Sequence, residues 1–201
     1  MPKLDIGAQT NTYPEDMLDK FAGSRLVIVG GGRCVWDDLA SMNIRPGVEN
    51  DNWHVMCVND IVMHYPGKVT HFYSNDHRWI SNWLKARREL HTRKYGNITN
   101  VHSCNTGARY NWPWPGHGSS GLNAVYCGIA MGYAPIVLTG IPLDDSGHYF
   151  DPPWVKTNFH REVGTMTDGN MMYWHNAKTK HFKGNVYGTS GRTADLLGRY
   201  H

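Results

Sequence analysis

The chain alternates short, continuous apolar runs with amphipathic stretches, and this alternation is its clearest pattern. The runs RLVIV, HVMCVND, VTHFYSND, ITNVHSC and PIVLTGI occupy residues 25–29, 54–60, 69–76, 98–104 and 135–141. Continuous apolar runs of this length are typical of strands buried on both faces, as in parallel sheets. The pattern therefore predicts five buried strands.

Helical spacing fills the stretches between these runs. Residues 78–96 carry apolar side chains on one side and a basic opposite face. CVWDDLASM follows the first strand, and SSGLNAVYCGIAMGYA at 119–134 begins with Ser119 or Ser120 as its N-cap. GRTADLLGRY predicts a closing helix. Strands that alternate with helices predict an α/β fold: a Rossmann-like, mostly parallel sheet flanked by helices.

The length of 201 residues fits a single domain spanning 1–201. An irregular leader with one short helix around Pro14–Phe21 is expected over 1–24. Residues 155–184 are rich in Asn, His, Met and Lys and only weakly patterned. That composition favours a lid-like insertion in the C-terminal part of the domain.

Composition and charge narrow the class further. The net charge of +3 is too small to indicate a nucleic-acid partner. No apolar stretch approaches the roughly 18 residues of a membrane span, and the N-terminus lacks the apolar segment of a signal peptide. The four cysteines form no CxxC pair, so reduced, structural thiols are expected. A cytoplasmic protein is predicted, and a homo-oligomer is compatible with the sequence.

Every predicted strand ends in small or polar residues. Four of these tails read GGGR, ND, SND and TGIPLDD. In open parallel sheets, ligands bind beyond the carboxyl ends of the strands. The tails are therefore expected to meet at one rim and to form a binding site there.

The triple glycine Gly30, Gly31 and Gly32 joins a strand to a helix, so it is either a tight turn or a phosphate-binding loop. It matches neither GxGxxG nor GxxxxGK[ST], so NAD is not indicated. Asn59 and Asp60 end the second strand, where they form a turn pair or bind a ribose or base.

Hydroxyl and amide side chains stand at the other candidate positions. Ser74 and Asn75 end the third strand. Ser119, Ser120 and Gly121 begin a helix, where an N-cap and an anion site are compatible. The last helix begins with Ser190 and Arg192; the arginine is able to fork onto a phosphate, whereas the serine is also explained as a cap. Asp76 with His71 and His77 has no spacing that fixes a metal site, and no metal is predicted.

The loop DDSGHYFD carries the candidate catalytic groups. A general base is expected among Asp144, Asp145 and His148, because a histidine is easily tuned near neutral pH. Tyr149 follows as a candidate for stabilising charge. A solvated loop without a chemical role is the alternative.

As a whole, "VIVGGGRC", "CVND", "HFYSND", "SSGLNAVYCGIAMGYAPIVLTGIPLDD" and "HYFD" resemble the Rossmann-like bacterial sialyltransferases of glycosyltransferase family 42. They are also similar to the related proteins with domain of unknown function 115, which include archaeal 6-hydroxymethylpterin diphosphokinases. The resemblance runs from about residue 25 along nearly the whole chain. The closing "TSGRTADLLG" resembles phage-encoded members.

The resemblance implies a CMP-type donor and the residues that hold it. The implied donor-binding residues are Gly30 to Gly32, Asn59, Ser74 with Asn75, and Ser120 with Gly121, while Tyr149 is the nearest match to the tyrosines that hold the donor phosphate.

This sequence departs from the family at three points. Gly31 replaces an asparagine, and Pro142 stands where the family has an aspartate. The family's base histidine, just before the last helix, has no firm counterpart. His175 and His181 lie earlier, and Tyr187 is nearest to the position.

The favoured function is a glycosyltransferase-like enzyme that moves a sugar from a CMP- or other nucleotide-activated donor to a hydroxyl acceptor, with no metal or other cofactor required. One alternative is a diphosphokinase acting on a small alcohol, which would need Mg²⁺ held by Asp144, Asp145 or Asp76. Another is a non-catalytic, nucleotide-binding phage accessory protein on the same fold.

Overall fold

The structure is a computed structural model that describes residues 13–45, 52–91, 93–105, 107–114, 119–151 and 163–201. The strands are β1 Leu26–Val29, β2 His54–Val58, β3 His71–Tyr73, β4 Asn100–Ser103, β5 Tyr110–Asn111, β6 Ile136–Thr139 and β7 Val186–Gly188. The helices are α1 Val35–Ser41, α2 Ile61–His64, α3 His77–Leu90, α4 Arg93–Gly96, α5 Ser120–Ala130, α6 Val163–Lys180 and α7 Gly191–Leu197, preceded by a 3₁₀ turn at Glu15–Met17.

The described strands form one seven-stranded sheet in the order β5-β4-β3-β2-β1-β6-β7. All six strand pairs are parallel. The strand order reverses between β1 and β6, and such a switch point opens a crevice at the carboxyl ends of the two strands. The predicted α/β class with a parallel, helix-flanked sheet is confirmed.

Two apolar clusters cover the two faces of the sheet. Successive residues of a strand point to opposite faces, so Leu26 and Ile28 belong to one cluster and Val27 and Val29 to the other. All four residues of β1 are buried, as the continuous apolar run predicts. The central strands are therefore rigid supports for the loops that follow them.

The two outermost strands were not predicted. The sequence predicts an irregular segment where β5 is found. It predicts a connection before the last helix at NVYGTS, which contains β7. β5 has two residues and β7 has three, so neither is long enough to show a period. Their pairing depends on the register of β4 and β6, which only the assembled sheet supplies.

The predicted helix at 78–96 is divided into α3 and α4, and one of its basic residues is not on a solvated face. Arg87 is fully buried. Its guanidinium donates to the carbonyl oxygens of Val62, Tyr65 and Gly67 at 2.6, 2.8 and 2.7 Å. Arg87 thereby ties α3 to the end of α2 and the turn after it.

The described part of the expected N-terminal leader is attached to the body of the domain. Met17 is fully buried. The amides of Asp19 and Phe21 donate to the carbonyls of Ala130 and Met131 at 3.0 and 2.9 Å. The 3₁₀ turn stands where a short helix was expected, and residues 1–12 lie outside the described residues.

The segment expected to be a lid contains the long helix α6. Trp174 and Ala177 of α6 are buried, and Phe182 after it belongs to the same core cluster. Residues 152–162 lie outside the described residues. The lid role of 155–184 stays a prediction, but its C-terminal half is part of the core.

All four cysteines lie in the part of the chain that the structure describes. Cys34, Cys57, Cys104 and Cys127 are all free, and the last three are buried. None of the described helices is long and apolar enough to cross a membrane.

Candidate functional site

A pocket of about 260 Å³ lies at the carboxyl ends of β1, β2 and β6, at the switch point of the sheet. The loop after β1, the tail of β2, the start of α5 and the loop after β6 form its walls. The structure brings ten of the candidate site residues into this lining: Gly30, Gly31, Gly32, Asn59, Asp60, Ser119, Ser120, Gly121, Asp144 and His148. The polar tails of separate strands thus meet around one cavity.

The three glycines of the loop have different surroundings. A Cβ at Gly30 would lie 2.6 Å from the carbonyl oxygen of Gly140, and one at Gly32 would lie 2.6 Å from Cδ of Pro142. A Cβ at Gly31 would meet only side-chain atoms, 3.2 Å from Cδ2 of His148 and 3.5 Å from Oδ1 of Asp60. Gly30 and Gly32 are required by the close approach of the loop after β6, whereas Gly31 leaves space open towards the pocket.

Asn59 holds a backbone turn and a side-chain contact at the tail of β2. Its φ of +59° lies in the left-handed region, which asparagine tolerates better than most residues. Its Oδ1 accepts a hydrogen bond from the Ser74 hydroxyl at 2.8 Å. This bond uses the carbonyl end of the amide. Within the described ranges its N–H groups have no hydrogen-bond partner, so they are available to a ligand. Ser74 itself is fully buried and lies behind the lining.

Asn75 also lies behind the wall and braces it. Its Oδ1 accepts from the Tyr73 hydroxyl at 2.8 Å and from the Asn123 amide at 3.1 Å. Its backbone N–H donates to Oγ of Ser120 at 3.3 Å. Asn75 therefore fixes the tail of β3 against the start of α5.

The start of α5 presents a capped helix N-terminus to the pocket. Oγ of Ser119 accepts from the Leu122 N–H, which is the predicted N-cap bond, and from the Trp174 indole N–H of α6, both at 3.3 Å. The first N–H groups of a helix have no partner within the helix, and the cap uses Leu122. Those of Ser120 and Gly121, at the pocket wall, are suited to bind an anion.

The loop after β6 crosses back over the triple glycine. Arg33 N–H donates to the Gly147 carbonyl, and Tyr149 N–H donates to the Gly31 carbonyl, both at 3.0 Å. These bonds form a short antiparallel bridge between Gly32 and His148. The bridge places His148 in the lining.

Of the four candidate catalytic residues, Asp144 and His148 line the pocket, whereas Asp145 and Tyr149 lie outside the lining. Asp145 is exposed on the loop. Tyr149 packs against Trp36 and His64, and its hydroxyl is buried without a hydrogen-bond partner among the described residues. Burial, with a smaller effect from the carboxylate of Asp60, raises the pKa of Tyr149 to about 12, so the phenol is neutral at physiological pH.

The start of α7 binds the protein's own loop. Arg192 N–H donates to the Pro142 carbonyl at 2.9 Å, and the Ser190 hydroxyl donates to the Asp38 carboxylate at 2.9 Å. Neither Ser190 nor Arg192 is in the pocket lining. The structure gives this helix start a supporting role for the loop after β6.

Sequence reasoning missed two polar residues at the site. Asp38 is buried, and its Oδ2 accepts from the Gly140 N–H at 2.8 Å as well as from Ser190. Asn170 is contributed to the pocket lining by α6. Asp38 lies in the first turn of α1, where an acidic residue is ordinary, and α6 has no clear periodicity. The sequence therefore contained no signal for either residue.

The group of His71, Asp76 and His77, considered as metal ligands, does not assemble. His71 is fully buried in β3, where its ring binds His102 and Tyr133. Within the described ranges, no group of three or more His, Cys, Asp or Glu residues could hold a metal ion. Of the aspartates considered for Mg²⁺, Asp144 lines the pocket, together with Asp60, whereas Asp76 and Asp145 do not.

Fold and pocket together define a Rossmann-like α/β protein with a ligand-sized cavity at the switch point of its sheet. No family model matches the sequence, and no curated protein matches it. Solved structures do.

The chain is similar to a variant of the sialyltransferase CST-II in complex with CMP, with TM-score 0.56 and 14% identity over 88% of this chain and 86% of that one. CST-II with a trisaccharide acceptor and CMP gives the same values. CstII from Campylobacter jejuni with the analogue CMP-3FNeuAc gives TM-score 0.51 and 15% identity over the same shares. At this identity the likeness establishes the fold.

Proposed function

We propose that the protein binds a nucleotide-activated sugar in this pocket and transfers the sugar to a hydroxyl acceptor. The observation that carries the proposal is the convergence of Gly31, Asn59 and the start of α5 on one cavity at the switch point. Proteins of the same fold are described with CMP and with a CMP-sugar analogue. A CMP-type donor is therefore the first candidate.

The electrostatics of the lining favour a ligand with a single phosphate. Its charged groups among the described residues are the carboxylates of Asp60 and Asp144, and its histidine is His148. The donors suited to an anion are the N–H groups at the start of α5, which stabilise a phosphate without a lysine or arginine. A nucleoside monophosphate needs fewer neutralising groups than a diphosphate or triphosphate does.

His148 is the proposed general base. Among the described residues it is the one histidine in the lining; His175 and His181, the candidates nearer the last helix, are not in it. Its ring would take the proton of the acceptor hydroxyl while the oxygen bonds to the anomeric carbon. The bond from that carbon to the phosphate oxygen breaks, and its electron pair leaves with the nucleotide. General-base catalysis typically contributes about 10²–10⁴-fold to the rate.

The test is ligand-induced stabilisation, measured by thermal unfolding and calorimetry with CMP, UMP, GMP, AMP and a CMP-sugar. A ligand at 100 times its Kd stabilises the native state by about 2.7 kcal/mol. The double variant Asn59→Gly/Ser120→Ala should weaken binding about tenfold to a hundredfold, since it removes the Asn59 amide and the Ser120 hydroxyl from the lining, and each lost hydrogen bond costs roughly 0.5–1.5 kcal/mol. Glycine at 59 keeps the left-handed backbone and removes only the amide.

Asn185→Ala/Ser81→Ala is the matched control, because both residues are exposed and outside the lining. It should bind like the wild type. Absence of stabilisation by every nucleotide and nucleotide sugar would contradict the proposal. Binding without sugar transfer to any acceptor would favour the non-catalytic alternative.

A second candidate, Mg²⁺-dependent diphosphate transfer from ATP to a small alcohol, is favoured by one observation. Asp60 and Asp144 both line the pocket, and carboxylate oxygens are the ligands that Mg²⁺ takes in phosphate-transfer sites. The ion would neutralise the phosphates that these carboxylates otherwise repel. ATP turnover that requires magnesium, is abolished by EDTA and is lost in Asp60→Asn would support this candidate over sugar transfer.

A further inference from the structure

The loop residues around His148 are arranged about its ring. Nδ1 of His148 lies 3.4 Å from Oδ2 of Asp151, and the same Oδ2 accepts the backbone N–H of His148 at 2.9 Å. The Asp151 N–H in turn donates to the His148 carbonyl at 3.1 Å. One carboxylate oxygen thus accepts the backbone N–H of the histidine and stands beside the Nδ1 atom of its ring.

An aromatic stack fixes the plane of the ring. Phe150 lies parallel to the His148 imidazole, with 5.1 Å between centroids and 7° between planes. Beyond Phe150 stands His64 of α2, at 6.1 Å and 28°. Phe150 is 46% exposed, so burial of the phenyl ring does not account for its place. Its neighbour Tyr149 anchors the loop by packing against Trp36.

The opposite edge of the imidazole faces the pocket side. Cδ2 of His148 lies 3.2 Å from the position that a Cβ at Gly31 would occupy. In the imidazole ring, Cδ2 and Nε2 form one edge and Nδ1 belongs to the other. Asp151 therefore occupies one edge of the ring, while the edge that carries Nε2 lies towards Gly31.

We infer that Asp151 and Phe150 are positioning residues for His148: the carboxylate holds the proton on Nδ1 and the phenyl ring holds the plane, which leaves Nε2 as the proton acceptor in the pocket. The inference rests on the proposed function for its catalytic meaning. With the proton on Nδ1, the Nε2 lone pair takes the proton of the acceptor hydroxyl. The imidazolium then stands beside Asp151 and releases one proton to solvent after the nucleotide leaves.

Among the described residues, His148 is the one histidine of the pocket lining. His175 and His181 are outside the lining, and the ring of His181 packs edge-on against Tyr126 at 5.6 Å. Histidine pairs with an orienting carboxylate recur on unrelated folds because the pair selects the tautomer and stabilises the imidazolium. Here both partners come from one four-residue turn that the bridge to Gly32 holds at the pocket.

The test is the tautomer of His148 in the protein without ligand. Ring ¹⁵N spectra above pH 8, assigned with His148→Gln, should show mainly the Nδ1–H form in the wild type. Asp151→Ala should shift His148 towards the Nε2–H form, and Asp195→Ala, which removes an exposed aspartate of α7, should leave it unchanged. Phe150→Leu should broaden the His148 signals, whereas Phe150→Tyr keeps the stack and should restore them.

A His148 tautomer that is the same in the wild type and in Asp151→Ala would overturn the inference, whatever the activity. In the transfer assay, Asp151→Ala should lower kcat by roughly tenfold to a hundredfold with little change in KM, a part of the about 10²–10⁴-fold of general-base catalysis. An unchanged kcat would also overturn it. The expected tautomer shift without sugar transfer would instead count against the proposed function alone.

Discussion

Adjacent glycines at the end of β1 meet different neighbours, and this difference can be used to separate stability from binding. The places where a Cβ would stand at Gly30 and Gly32 are within 2.5 and 2.6 Å of atoms of the loop after β6. At Gly31 the nearest atom is Cδ2 of His148, 3.2 Å away, and it belongs to a side chain that is 48% exposed. At all three positions the space available for a Cβ, and not the backbone conformation, determines whether a larger residue is tolerated.

Gly30→Ala and Gly32→Ala should each lower the free energy of unfolding by about 1–3 kcal/mol, the cost of overpacking a site that cannot expand. Gly31→Ala should unfold within about 0.5 kcal/mol of the wild type but bind nucleotide more weakly, since its methyl group enters the pocket. Urea unfolding and calorimetric binding measure the two effects. A Gly31→Ala protein that binds as the wild type does would remove the loop from the site.

The triple glycine also shows which features of the site the sequence predicts and which it does not. The sequence of the triple glycine fits both a turn and a phosphate-binding loop; in the structure Gly30 and Gly32 meet the close contacts of a tight turn, and Gly31 lines the pocket. Gly30 and Gly32 are tight against a loop more than a hundred residues later in the chain. No local pattern reveals such an approach, because its cause is the neighbouring strand β6.

At the scale of elements, Asp38 joins three parts that the sequence keeps far apart. The carboxylate belongs to α1, and it binds the N–H of Gly140 after β6 and the hydroxyl of Ser190 before α7. Gly140 has a φ of +62° and lines the pocket. The position of Gly140 in the pocket lining thus depends on the buried carboxylate of Asp38.

Asp38→Ala should lower the free energy of unfolding by about 1–3 kcal/mol, because the buried Gly140 N–H and the half-buried Ser190 hydroxyl lose their acceptor. Asp37→Ala is the matched control, since Asp37 is exposed on the same turn of the same helix. It removes the same charge near the helix start and should cost less than about 1 kcal/mol. Equal losses in the two variants, measured by urea unfolding, would contradict the role assigned to Asp38.

At the scale of the whole molecule, a chain of hydrogen bonds crosses the core under the sheet. The Trp112 indole N–H donates to Nδ1 of His102 at 3.1 Å, so neutral His102 carries its proton on Nε2. The Nε2–H of His102 donates to Nδ1 of His71 at 2.9 Å, and the Nε2–H of His71 donates to the Tyr133 hydroxyl at 2.8 Å. The hydroxyl donates to Nδ1 of His54 at 2.6 Å.

Both central histidines are neutral in the fold. Burial lowers the pKa of His102 from 6.5 to about 3. Burial, with repulsion from His102, His54 and Lys20, lowers the pKa of His71 well below 6.5. A proton added to Nδ1 of His102 would also face the indole N–H of Trp112, so the chain of hydrogen bonds would break at that point.

Acid should therefore destabilise the protein from about pH 6.5 downwards. In the unfolded chain the two histidines bind protons near pH 6.5, whereas in the fold they stay neutral to much lower pH. The free energy of unfolding therefore decreases as the pH is lowered from 6.5 towards the folded pKa. The slope should approach about 1.4 kcal/mol per pH unit for each histidine. Urea unfolding from pH 7.5 to 5 measures it.

His102→Phe should show a shallower slope even if it is less stable overall, because one titrating group is gone. His175→Gln, which changes an exposed histidine, should keep the slope of the wild type. Stability that is flat between pH 7 and 5 in the wild type would contradict the prediction.

The sequence alone determined the class of fold, because buried strands and amphipathic helices each have a characteristic spacing of apolar residues that is visible within a short stretch of the chain. It also determined that the strand tails meet at one rim, since parallel strands place their carboxyl ends together. Asn59, Ser120 and His148, which the sequence proposes for this rim, line the pocket.

Only the tertiary structure decided which polar residues enter the pocket and which support it. Ser190 and Arg192 resemble an anion site along the chain, but α7 packs its first turn on the loop after β6. Asn170 and Asp38 reach the site through the packing of α6 and α1. Such contacts join residues far apart in the sequence, and their positions depend on side-chain volume and register across the whole sheet, which no local pattern encodes.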